Sequence, residues 1–349
     1  MTAISSAPDA TRVRALVCDD SSFMRRLLGD ALRSAGVDVV GEVGDGEAAI
    51  AACARLRPDV ITLDMNMPGL TGIEVLRRLP ARGPRVVVVS ALTAAGSDLA
   101  LDALEAGATD VVLKPTRATP LDEFGQRLAQ IVTAAAAARH LRVEAAPITK
   151  PLRPVRAPDS GTRRSSPLIV IASSTGGPQA LMQIVPRLPA RIGSGVLIVQ
   201  HMPPGFTASL ARRLDSASQL AVREARDGDA IEPGLALVAP GNFHLRVERG
   251  RVHLDQSRAI GALRPRADIT LSDASRSYGA GVLAVVLTGM GEDGLGGVRS
   301  VKLAGGGCIA QDEMSSVIYG MPRAVSEAGL ADASHPLAHL ARAIAEAAA

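Results

Sequence analysis

Two stretches of the chain alternate short apolar runs with segments whose apolar residues have helical spacing. In the first stretch the apolar runs are "VRALVCDD", "DVVGEVG", "DVITLDMN", "RVVVVSAL" and "DVVLKP". Between them lie amphipathic segments such as "SFMRRLLGDALRSAG" and "GEAAIAACARLR". This alternation of five strands with helices predicts an α/β domain with a parallel, doubly wound sheet of five strands.

The same alternation resumes further along the chain. "PLIVIAS", "GVLIVQ" and "GVLAVVL" have the composition of buried strands, and "PQALMQIVPRL" and "FTASLARRL" have helical spacing. The segment "ALVAPGNFHLRVERGRVHL" is richer in strand-forming residues and predicts a β-hairpin around "ERG". The second half is therefore expected to be another doubly wound α/β domain that also carries a hairpin region.

A segment without apolar periodicity separates the two stretches. "RVEAAPITKPLRPVRAPDSGTRRSSP" follows an alanine run at 134–138 that is typical of a helix end. Its prolines, charges and small polar residues cannot bury enough surface to offset the entropy lost on ordering. We therefore expect a first domain at 12–135, a linker at 136–166 and a second domain at 167–346.

The composition narrows the classes of function. The 349 residues are 47% hydrophobic and 21% charged, but only 2% aromatic, and tryptophan is absent. Binding of single-stranded nucleic acid relies on aromatic stacking, which this composition disfavours. The net charge is +3, and the linker carries most of it, so no basic face is expected on a folded domain and no nucleic-acid partner is predicted.

Cysteine usage and hydropathy indicate the compartment. Cys18, Cys53 and Cys308 are far apart and form no C-x-x-C pair, which is typical of reduced thiols in a cytoplasmic protein. No segment reaches the ~20 apolar residues of a membrane span, and the N-terminus lacks the apolar core of a signal peptide. A cytoplasmic protein without membrane insertion is expected.

Charged and polar side chains follow the strands of the first domain. Asp19 and Asp20 follow the first strand, Asp64 the third, Ser90 the fourth and Lys114 the fifth. Since the carboxyl ends of parallel strands meet at one edge, these groups should share a crevice. Clustered carboxylates favour a divalent cation such as Mg²⁺, and one of them could accept a phosphoryl group.

These residues carry a resemblance to a known family. "VCDDSSFMRRLL", "DVITLDMNMPGLTGIEVL", "VVVSALT" and "AGATDVVLKP" resemble the flavodoxin-like receiver domain of two-component response regulators. The resemblance implies that Asp64 accepts the phosphoryl group and that Ser90 and Lys114 sense it. It also implies that Mg²⁺ is bound by Asp19, Asp20, Asp64 and the backbone carbonyl of Asn66. Val111 stands where many receivers carry an aromatic switch residue, so an aromatic-rotamer mechanism is not expected.

The loop "SSTGGPQ" joins a strand to a helix in the second domain and contains two adjacent serines. Free N–H groups at a helix start favour negative charge, either a bound phosphate or a developing oxyanion. The loop matches neither the phosphate-binding glycine motifs nor the G-x-S-x-G elbow. His201 follows the next strand, and Glu292 and Asp293 lie in a glycine-rich loop after a third, so serine, histidine and acid could converge. The other histidines are weaker candidates: His140, His244, His253, His335 and His339.

Six motifs in order give the second resemblance. "SSTGGPQAL", "VQHMPPGFTASLARRL", "APGNFHL", "RPRADITLSDAS", "VVLTGMGEDGLGG" and "QDEMSSVIYGMPRA" are similar to the catalytic domain of the CheB family, the chemotaxis protein-glutamate methylesterases. The resemblance implies Ser174 as nucleophile, His201 as general base and Asp293 as the orienting acid, with Glu292 at a variable position. It also implies an oxyanion hole formed by backbone N–H groups near Met290 and Thr175. Ser173 replaces a residue that is commonly alanine, and it should point to the opposite face of the strand.

The resemblance implies a reaction and its control. Ser174 would attack glutamate γ-methyl esters of methyl-accepting chemoreceptors, and the same site would deamidate receptor glutamines, without a cofactor in this half. A chemotaxis histidine kinase would phosphorylate Asp64, and the unphosphorylated receiver would cover the active site. Oligomeric state and receptor identity are not predicted.

Three other functions fit the sequence less well. A receiver-linked transcription factor would need a compact helix-turn-helix output, which the strand-rich second half does not suggest. A scaffold with an inactive hydrolase domain would lack a member of the triad, and all three members are present. A nucleotide-binding domain is the weakest alternative, because no lysine follows the glycines to reach a phosphate.

Overall fold

The computed structural model describes residues 12–91, 93–116, 119–138, 166–259 and 263–349. Within these residues the chain forms two compact units, each built on its own parallel sheet. Most of the predicted linker, residues 139–165, lies outside the described residues. No helix in the described ranges combines the length and the apolar character needed to cross a membrane.

The first unit contains a five-stranded parallel sheet, which confirms the predicted fold class. The strands are β1 (Arg14–Cys18), β2 (Asp38–Val43), β3 (Val60–Asp64), β4 (Arg85–Ser90) and β5 (Asp110–Leu113). Their order in the sheet is β2-β1-β3-β4-β5, with every neighbouring pair parallel. The helices between and after them are α1 (Ser22–Ser34), α2 (Gly46–Leu56), α3 (Gly72–Arg78), α4 (Ala94–Glu105) and α5 (Leu121–Ala137).

Local chemistry explains where these helices begin and end. The Ser21 hydroxyl accepts a hydrogen bond from the Met24 N–H at the start of α1, and the Asp45 carboxylate caps α2 through the Ala48 N–H. At the other end of the unit, α5 stops inside the alanine run, as the sequence predicts. The core is largely aliphatic, because valines of the strands, such as Val17 and Val87, pack against Leu128, Val132 and neighbouring residues of α5.

The second unit contains a seven-stranded parallel sheet. Its strands are β6 (Leu168–Ser173), β7 (Gly195–Gln200), β8 (Ala221–Glu224), β9 (Leu235–Val238), β12 (Val282–Val286), β13 (Gly307–Gln311) and β14 (Ala333–His335). Their order is β14-β13-β12-β6-β7-β9-β8. β9 begins the segment in which the hairpin was predicted, yet it pairs parallel to β7 and β8 in this sheet.

The hairpin itself is confirmed and lies apart from the main sheet. It consists of β10 (His244–Glu248) and β11 (Arg251–Asp255), which pair antiparallel across the predicted "ERG" turn. Arg249 and Gly250 both adopt positive φ there, as tight hairpin turns require. The helices of this unit are α6 (Gly177–Ile184), α7 (Phe206–Ala217), α8 (Ala267–Tyr278), α9 (Leu295–Leu303), α10 (Met321–Glu327) and α11 (Leu337–Ala347).

The strand order makes β6 the switch point of the second sheet. From β6 the chain proceeds to β7 on one side, and it returns later to β12 on the other side. In open α/β sheets, the crevice at the carboxyl ends of strands is deepest where the strand order reverses. The residues that follow β6, β7 and β12 are therefore the ones that the fold brings to a common crevice.

Candidate functional site

The ends of three neighbouring strands bring Ser174, His201 and Asp293 to the same edge of the second sheet. Ser173 and Gln200 are paired in register as the last residues of β6 and β7, so Ser174 and His201 are the next residues on adjacent strands. Asp293 lies in the loop between β12 and α9. Serine, histidine and acid therefore meet at the switch point that the sequence motifs predict.

The two adjacent serines have different environments. Ser173 is fully buried and donates a hydrogen bond of 2.6 Å to Gln200 Oε1. Gln200 Nε2 in turn donates to the backbone carbonyls of Ser174 (2.9 Å) and His201 (3.2 Å). Ser173 therefore supports a buried amide that connects the two strand ends, whereas Ser174 is only half-buried.

The backbone holds Ser174 in a fixed position. Its N–H donates to the Thr288 carbonyl at 3.0 Å, and its carbonyl accepts from the Gly177 N–H at 2.7 Å. Gly176, the N-cap of α6, has a φ of 78°, a conformation that favours glycine. Its Cβ would also collide with Val317. The "TGG" sequence thus provides a tight turn directly after the serine.

Gly289 lets the loop after β12 approach Ser174 closely. A Cβ atom built on Gly289 would lie 2.4 Å from Met321 Sδ, 2.8 Å from Ser174 Cβ and 3.1 Å from Ser174 N. The Gly289 N–H donates to the Ile318 carbonyl, and its carbonyl accepts from the N–H groups of Gly320 and Met321. Because these bonds fix the loop, an added methyl group would displace the serine rather than the loop alone.

We expect Gly289→Ala to lower esterase activity on the order of 10²-fold, since a displacement near 1 Å of a reacting group costs about that much. The measurement is the steady-state kcat for methyl-ester hydrolysis. Gly307→Ala is the matched control, because a Cβ there would meet the flexible end of Leu283 at 3.3 Å. Equal activities of the two variants would contradict the close approach at Gly289.

His201 and Asp293 form a buried pair. The His201 Nε2 atom lies 2.7 Å from Asp293 Oδ2, and the two side chains are only 4% and 2% exposed. With Nε2 bonded to the carboxylate, Nδ1 is the ring nitrogen left to act as a base. Among the described residues, neither Nδ1 nor the Ser174 hydroxyl forms a hydrogen bond. A hydrogen bond between a nucleophile and its base commonly forms or shortens only when substrate binds.

Asp293 also accepts hydrogen bonds from the start of α8. Its Oδ2 accepts from the Ala267 N–H at 2.7 Å, and its Oδ1 accepts from the Asp268 N–H at 3.0 Å. Burial would raise the pKa of the Asp293 carboxyl, but the hydrogen bonds from His201 and from these two N–H groups hold it below its ordinary value. The carboxylate is therefore ionised and oriented for the imidazole.

Two aspartates cap two helices reciprocally. Asp293 precedes α9 and accepts from the first N–H groups of α8, whereas Asp268 belongs to α8 and accepts from N–H groups at the start of α9. Asp268 Oδ1 accepts hydrogen bonds from the Gly294 N–H at 3.0 Å and from the Gly297 N–H at 2.8 Å. Arg266 contacts both carboxylates, at 3.3 Å from Asp293 Oδ1 and 3.1 Å from Asp268 Oδ2.

The two residues predicted for an oxyanion hole flank Ser174. The Met290 N–H follows Gly289 and donates to no other described residue, so it is available to a ligand. Thr175 follows the serine directly, is 3% exposed, and accepts a hydrogen bond at its carbonyl from Thr288 Oγ1. Glu292, the acid beside Asp293, is exposed to solvent.

The other histidines do not form a comparable pair. His244 is buried in β10, where burial lowers its pKa, and its Nδ1 has no hydrogen-bond partner among the described residues. His253 lies 3.7 Å from Asp227, and both are well exposed. His335 and His339 lie in β14 and α11, and His140 lies outside the described residues.

The predicted carboxylate cluster of the first unit is present. Asp19, Asp20 and Asp64 place carboxylate oxygens within 4.8 Å of one another. Lys114 Nζ lies 2.8 Å from Asp19 Oδ2 and 2.7 Å from Asp64 Oδ2. Burial raises the pKa of Asp19 despite this contact. Burial would lower the pKa of Lys114, but its hydrogen bonds to the two aspartates raise it.

The donor set of this cluster fits Mg²⁺. Three carboxylates face one ammonium group, so an excess of negative charge remains that a divalent cation would neutralise. The Asn66 N–H donates to Asp64 Oδ1 at 3.2 Å, which holds the Asn66 backbone beside the cluster. The receiver half therefore has an acidic cluster that is compatible with Mg²⁺.

The remaining predicted receiver residues lie at the expected strand positions. Ser90 ends β4 and is 1% exposed. Val111 is buried in β5 and offers no aromatic ring at that position. Arg25 of α1, which the sequence did not indicate, donates to the carbonyls of Asp19 (2.7 Å) and Asp20 (3.0 Å). It fixes the loop that carries two of the carboxylates.

Sequence reasoning also missed several residues around the esterase site: Gln200, Thr288, Arg266 and Asp268. Their partners are backbone groups or side chains distant in sequence, so spacing alone could not indicate them. One signal was available for Arg266, which stands at the N-cap of α8, a position that prefers Ser, Thr, Asp or Asn. An arginine there indicates that another element caps the helix.

Comparisons with known proteins agree with both halves of the chain. The family model for CheB methylesterase matches residues 169–344, and that for the response regulator receiver domain matches residues 15–124. A relative from Symbiobacterium thermophilum, named protein-glutamate methylesterase/protein-glutamine glutaminase, is 44% identical over 95% of this chain and 96% of its own length. A relative of the same name from Thermotoga maritima is 42% identical over 92% of this chain and 94% of its own length.

A solved structure extends the likeness to the fold. The crystal structure of the Thermotoga maritima CheB methylesterase catalytic domain shares 46% sequence identity, with a TM-score of 0.50. It covers 52% of this chain and 98% of that domain. With the family models and the full-length relatives, this likeness shows that the chain belongs to the CheB methylesterase family and carries a response regulator receiver domain.

Proposed function

We propose that this protein is a serine hydrolase of chemosensory adaptation, activated by phosphorylation. It removes methyl groups from glutamate γ-methyl esters of chemoreceptors and deamidates receptor glutamines. The observation that carries the proposal is the buried His201–Asp293 pair, at 2.7 Å, on the sheet edge where Ser174 follows the neighbouring strand. The names of the relatives support the substrate class.

The proposed catalytic residues divide the acylation step among them. Ser174 Oγ attacks the ester carbonyl carbon while His201 Nδ1 takes the hydroxyl proton, and Asp293 stabilises the imidazolium through Nε2–H. The Met290 N–H and the backbone N–H at Thr175 are proposed to bind the oxyanion, each donor contributing about 3–4 kcal/mol in a well-studied hydrolase. His201 then returns the proton to the departing methoxide, and methanol leaves.

Water completes the reaction at the same groups. His201 Nδ1 takes a proton from water, the hydroxide attacks the acyl-serine, and the proton returns to Ser174 Oγ as the ester bond breaks. The product is a free glutamate side chain. With a glutamine substrate, the group that leaves in the first step is ammonia instead of methanol. All of these steps use protein groups that lie in the second unit.

The receiver half is proposed to control this activity. Asp64 is the proposed phosphoacceptor, Ser90 and Lys114 contact the phosphoryl group, and a histidine kinase is the phosphodonor. Asp19, Asp20, Asp64 and the Asn66 carbonyl would hold Mg²⁺, which supplies charge neutralisation during phosphoryl transfer. Phosphorylation activates the enzyme only if it shifts the free-energy difference between a less active and a more active state in favour of the more active one.

The proposed domain limits are 12–135 for the receiver, 136–166 for the linker and 167–346 for the catalytic domain.

Cytoplasmic localisation is proposed as well. It is supported by Cys18, Cys53 and Cys308, which are free and buried. Burial raises the pKa of Cys18 and Cys308 to about 12 and that of Cys53 to about 11, so these thiols are poor nucleophiles.

We expect Asp64→Asn to retain basal esterase activity and to lose its stimulation by acetyl phosphate. Asparagine keeps the size of the side chain but cannot form the acyl phosphate. The measurement is methanol release from methylated receptor membranes with Mg²⁺, with and without the phosphodonor. Asp30→Asn is the control, since Asp30 is an exposed carboxylate of α1 outside the cluster. Stimulation of Asp64→Asn equal to that of wild type would exclude Asp64 as the phosphoacceptor.

A further inference from the structure

Arg266 occupies a helix position that arginine rarely serves. It is the N-cap of α8, yet its side chain makes no capping bond. The capping acceptor is supplied instead by Asp293, whose two oxygens accept from the first two N–H groups of the helix. The Arg266 side chain instead contacts the same carboxylate that caps the helix.

The guanidinium group of Arg266 lies against the acid of the triad. Its Nε atom is 3.3 Å from Asp293 Oδ1, and its terminal nitrogen donates to Asp268 Oδ2 at 3.1 Å. The Arg266 side chain is only 20% exposed, so solvent screens this charge less than that of a surface arginine. Oδ1 carries this contact while Oδ2 faces His201, so the arginine and the imidazole hold opposite sides of one carboxylate.

Among the described residues, few other charged groups lie on the elements around the His201–Asp293 pair. On α8, Arg266 and Asp268 are the nearest charged residues. The loop before α9 adds exposed Glu292. Along α9, Arg299 is exposed and Lys302 is paired with Asp332. The ends of β6 and β7 contribute no charged residue apart from His201. Arg266 is thus the cation that shares the negative charge of Asp293 with the imidazole.

We propose that Arg266 is a positioning residue of the esterase site: it fixes the Asp293 carboxylate against His201 and, through its charge, offsets part of the negative charge that Asp293 presents to the imidazole. The sign follows from the charges. A carboxylate stabilises imidazolium, and a cation on its far side weakens that stabilisation. Without Arg266, the carboxylate acts on the imidazole with its full charge, so we expect acid to inhibit the reaction at a higher pH. The inference rests on the proposed function, in which neutral His201 is the base.

The test is the pH dependence of kcat/KM for methyl-ester hydrolysis by the full-length protein carrying Arg266→Gln. We expect the midpoint of the acidic limb to rise by about half to one pH unit, and the plateau above it to fall because the Asp293 carboxylate loses a contact that holds it. At pH values below the midpoint, this rise by itself lowers kcat/KM by roughly 3- to 10-fold relative to wild type. Arg266→Lys keeps the charge, so we expect its acidic limb to stay close to that of wild type.

Arg246→Gln is the matched control. Arg246 also pairs with a buried aspartate of α8, Asp273, but not with the acid of the triad. We expect this variant to lower the thermal unfolding midpoint without moving the acidic limb. Because the limb position is a ratio of rates within one variant, it does not depend on the amount of folded protein. An unchanged limb in Arg266→Gln, or an equal shift in Arg246→Gln or Arg266→Lys, would overturn the proposal.

A second readout separates this inference from the proposed function. Covalent modification of Ser174 by a serine-directed fluorophosphonate also needs the neutral base, but it needs no receptor. We expect its rate to show the same shift of the acidic limb in Arg266→Gln. Wild-type protein that reacts with the fluorophosphonate but hydrolyses no receptor ester would refute the proposed substrate. The shift in Arg266→Gln would still decide the role of Arg266.

Discussion

Replacing Ser174 with alanine should reduce methanol release from methylated receptors by about 10⁴-fold or more, leaving only the residual catalysis that an oxyanion hole and substrate binding provide. The proposed reaction forms a covalent bond at Ser174 Oγ, and no other described hydroxyl lies in the same turn with its hydrogen-bonding capacity unused. The Ser173 hydroxyl is committed to Gln200 Oε1 and is fully buried. The measurement is single-turnover methanol release at saturating enzyme.

Ser173→Ala is the control for this experiment. Removing the Ser173 hydroxyl leaves the buried Gln200 Oε1 without its donor, so we expect a loss of about 1–3 kcal/mol in the free energy of unfolding. Esterase activity per folded molecule should remain within the same order of magnitude as that of wild type. If Ser173→Ala abolished methanol release and Ser174→Ala did not, the assignment of the nucleophile would be wrong.

The second large effect is expected for Asp293→Asn, which should lower kcat by about 10⁴-fold, as the corresponding change does in a serine protease. The Oδ1 position of Asp293 accepts from the Asp268 and Gly294 N–H groups, whereas the Oδ2 position accepts from the Ala267 N–H and faces His201 Nε2. An asparagine carbonyl at the Oδ1 position would keep the first two bonds, and its NH₂ group would then face His201 Nε2. That arrangement requires the proton on Nδ1, the atom that must accept the serine proton. The variant would therefore hold the imidazole in the wrong tautomer.

The expected loss belongs to kcat rather than to folding, and a matched aspartate separates the two. Asp332 likewise accepts from a backbone N–H, that of Cys308, and from a cation, Lys302. Asp332→Asn should therefore change stability while leaving kcat near that of wild type. The measurements are kcat and the thermal unfolding midpoint of both variants. A folded Asp293→Asn variant with more than a tenth of the wild-type kcat would remove Asp293 from the proposed triad.

The strands that carry the site were predictable because their signal is local. β6, β7 and β12 are continuous apolar runs buried on both faces, and each is followed at once by a polar or glycine-rich turn. For this reason the strand ends alone indicated two serines, Ser173 and Ser174, then His201, and two acids, Glu292 and Asp293. The resemblance to the family then selected Ser174 and Asp293. β8 and β14 were not predicted, because they are short strands at the edges of the sheet. β13 is as long as β12, but its sequence, "GCIAQ", contains a much shorter apolar run. β9 was assigned to the hairpin, since pairing partners depend on tertiary contacts.

The residues that support the site could not be predicted from sequence spacing, because their roles also depend on tertiary contacts. Gln200 looks like an ordinary strand end, and Asp268 looks like an ordinary acid in the first turn of a helix. Their roles come from acceptors and donors that are 26 to 29 residues away. Helix capping by a residue of another element can be recognised in the sequence only when the residue at the N-cap position is a poor cap, as Arg266 is.

The reciprocal capping of α8 and α9 has an evolutionary consequence. Asp293 and Asp268 satisfy backbone groups that would otherwise be buried without partners, so selection for stability alone would retain both of them. The Ser174 side chain supports no such bond within the described residues, and its loss would cost the fold little. In descendants that have ceased to hydrolyse esters, the nucleophile should therefore decay first and the aspartates should persist. A preserved acid in such a lineage would record how the domain folds, and the serine would record whether it still works.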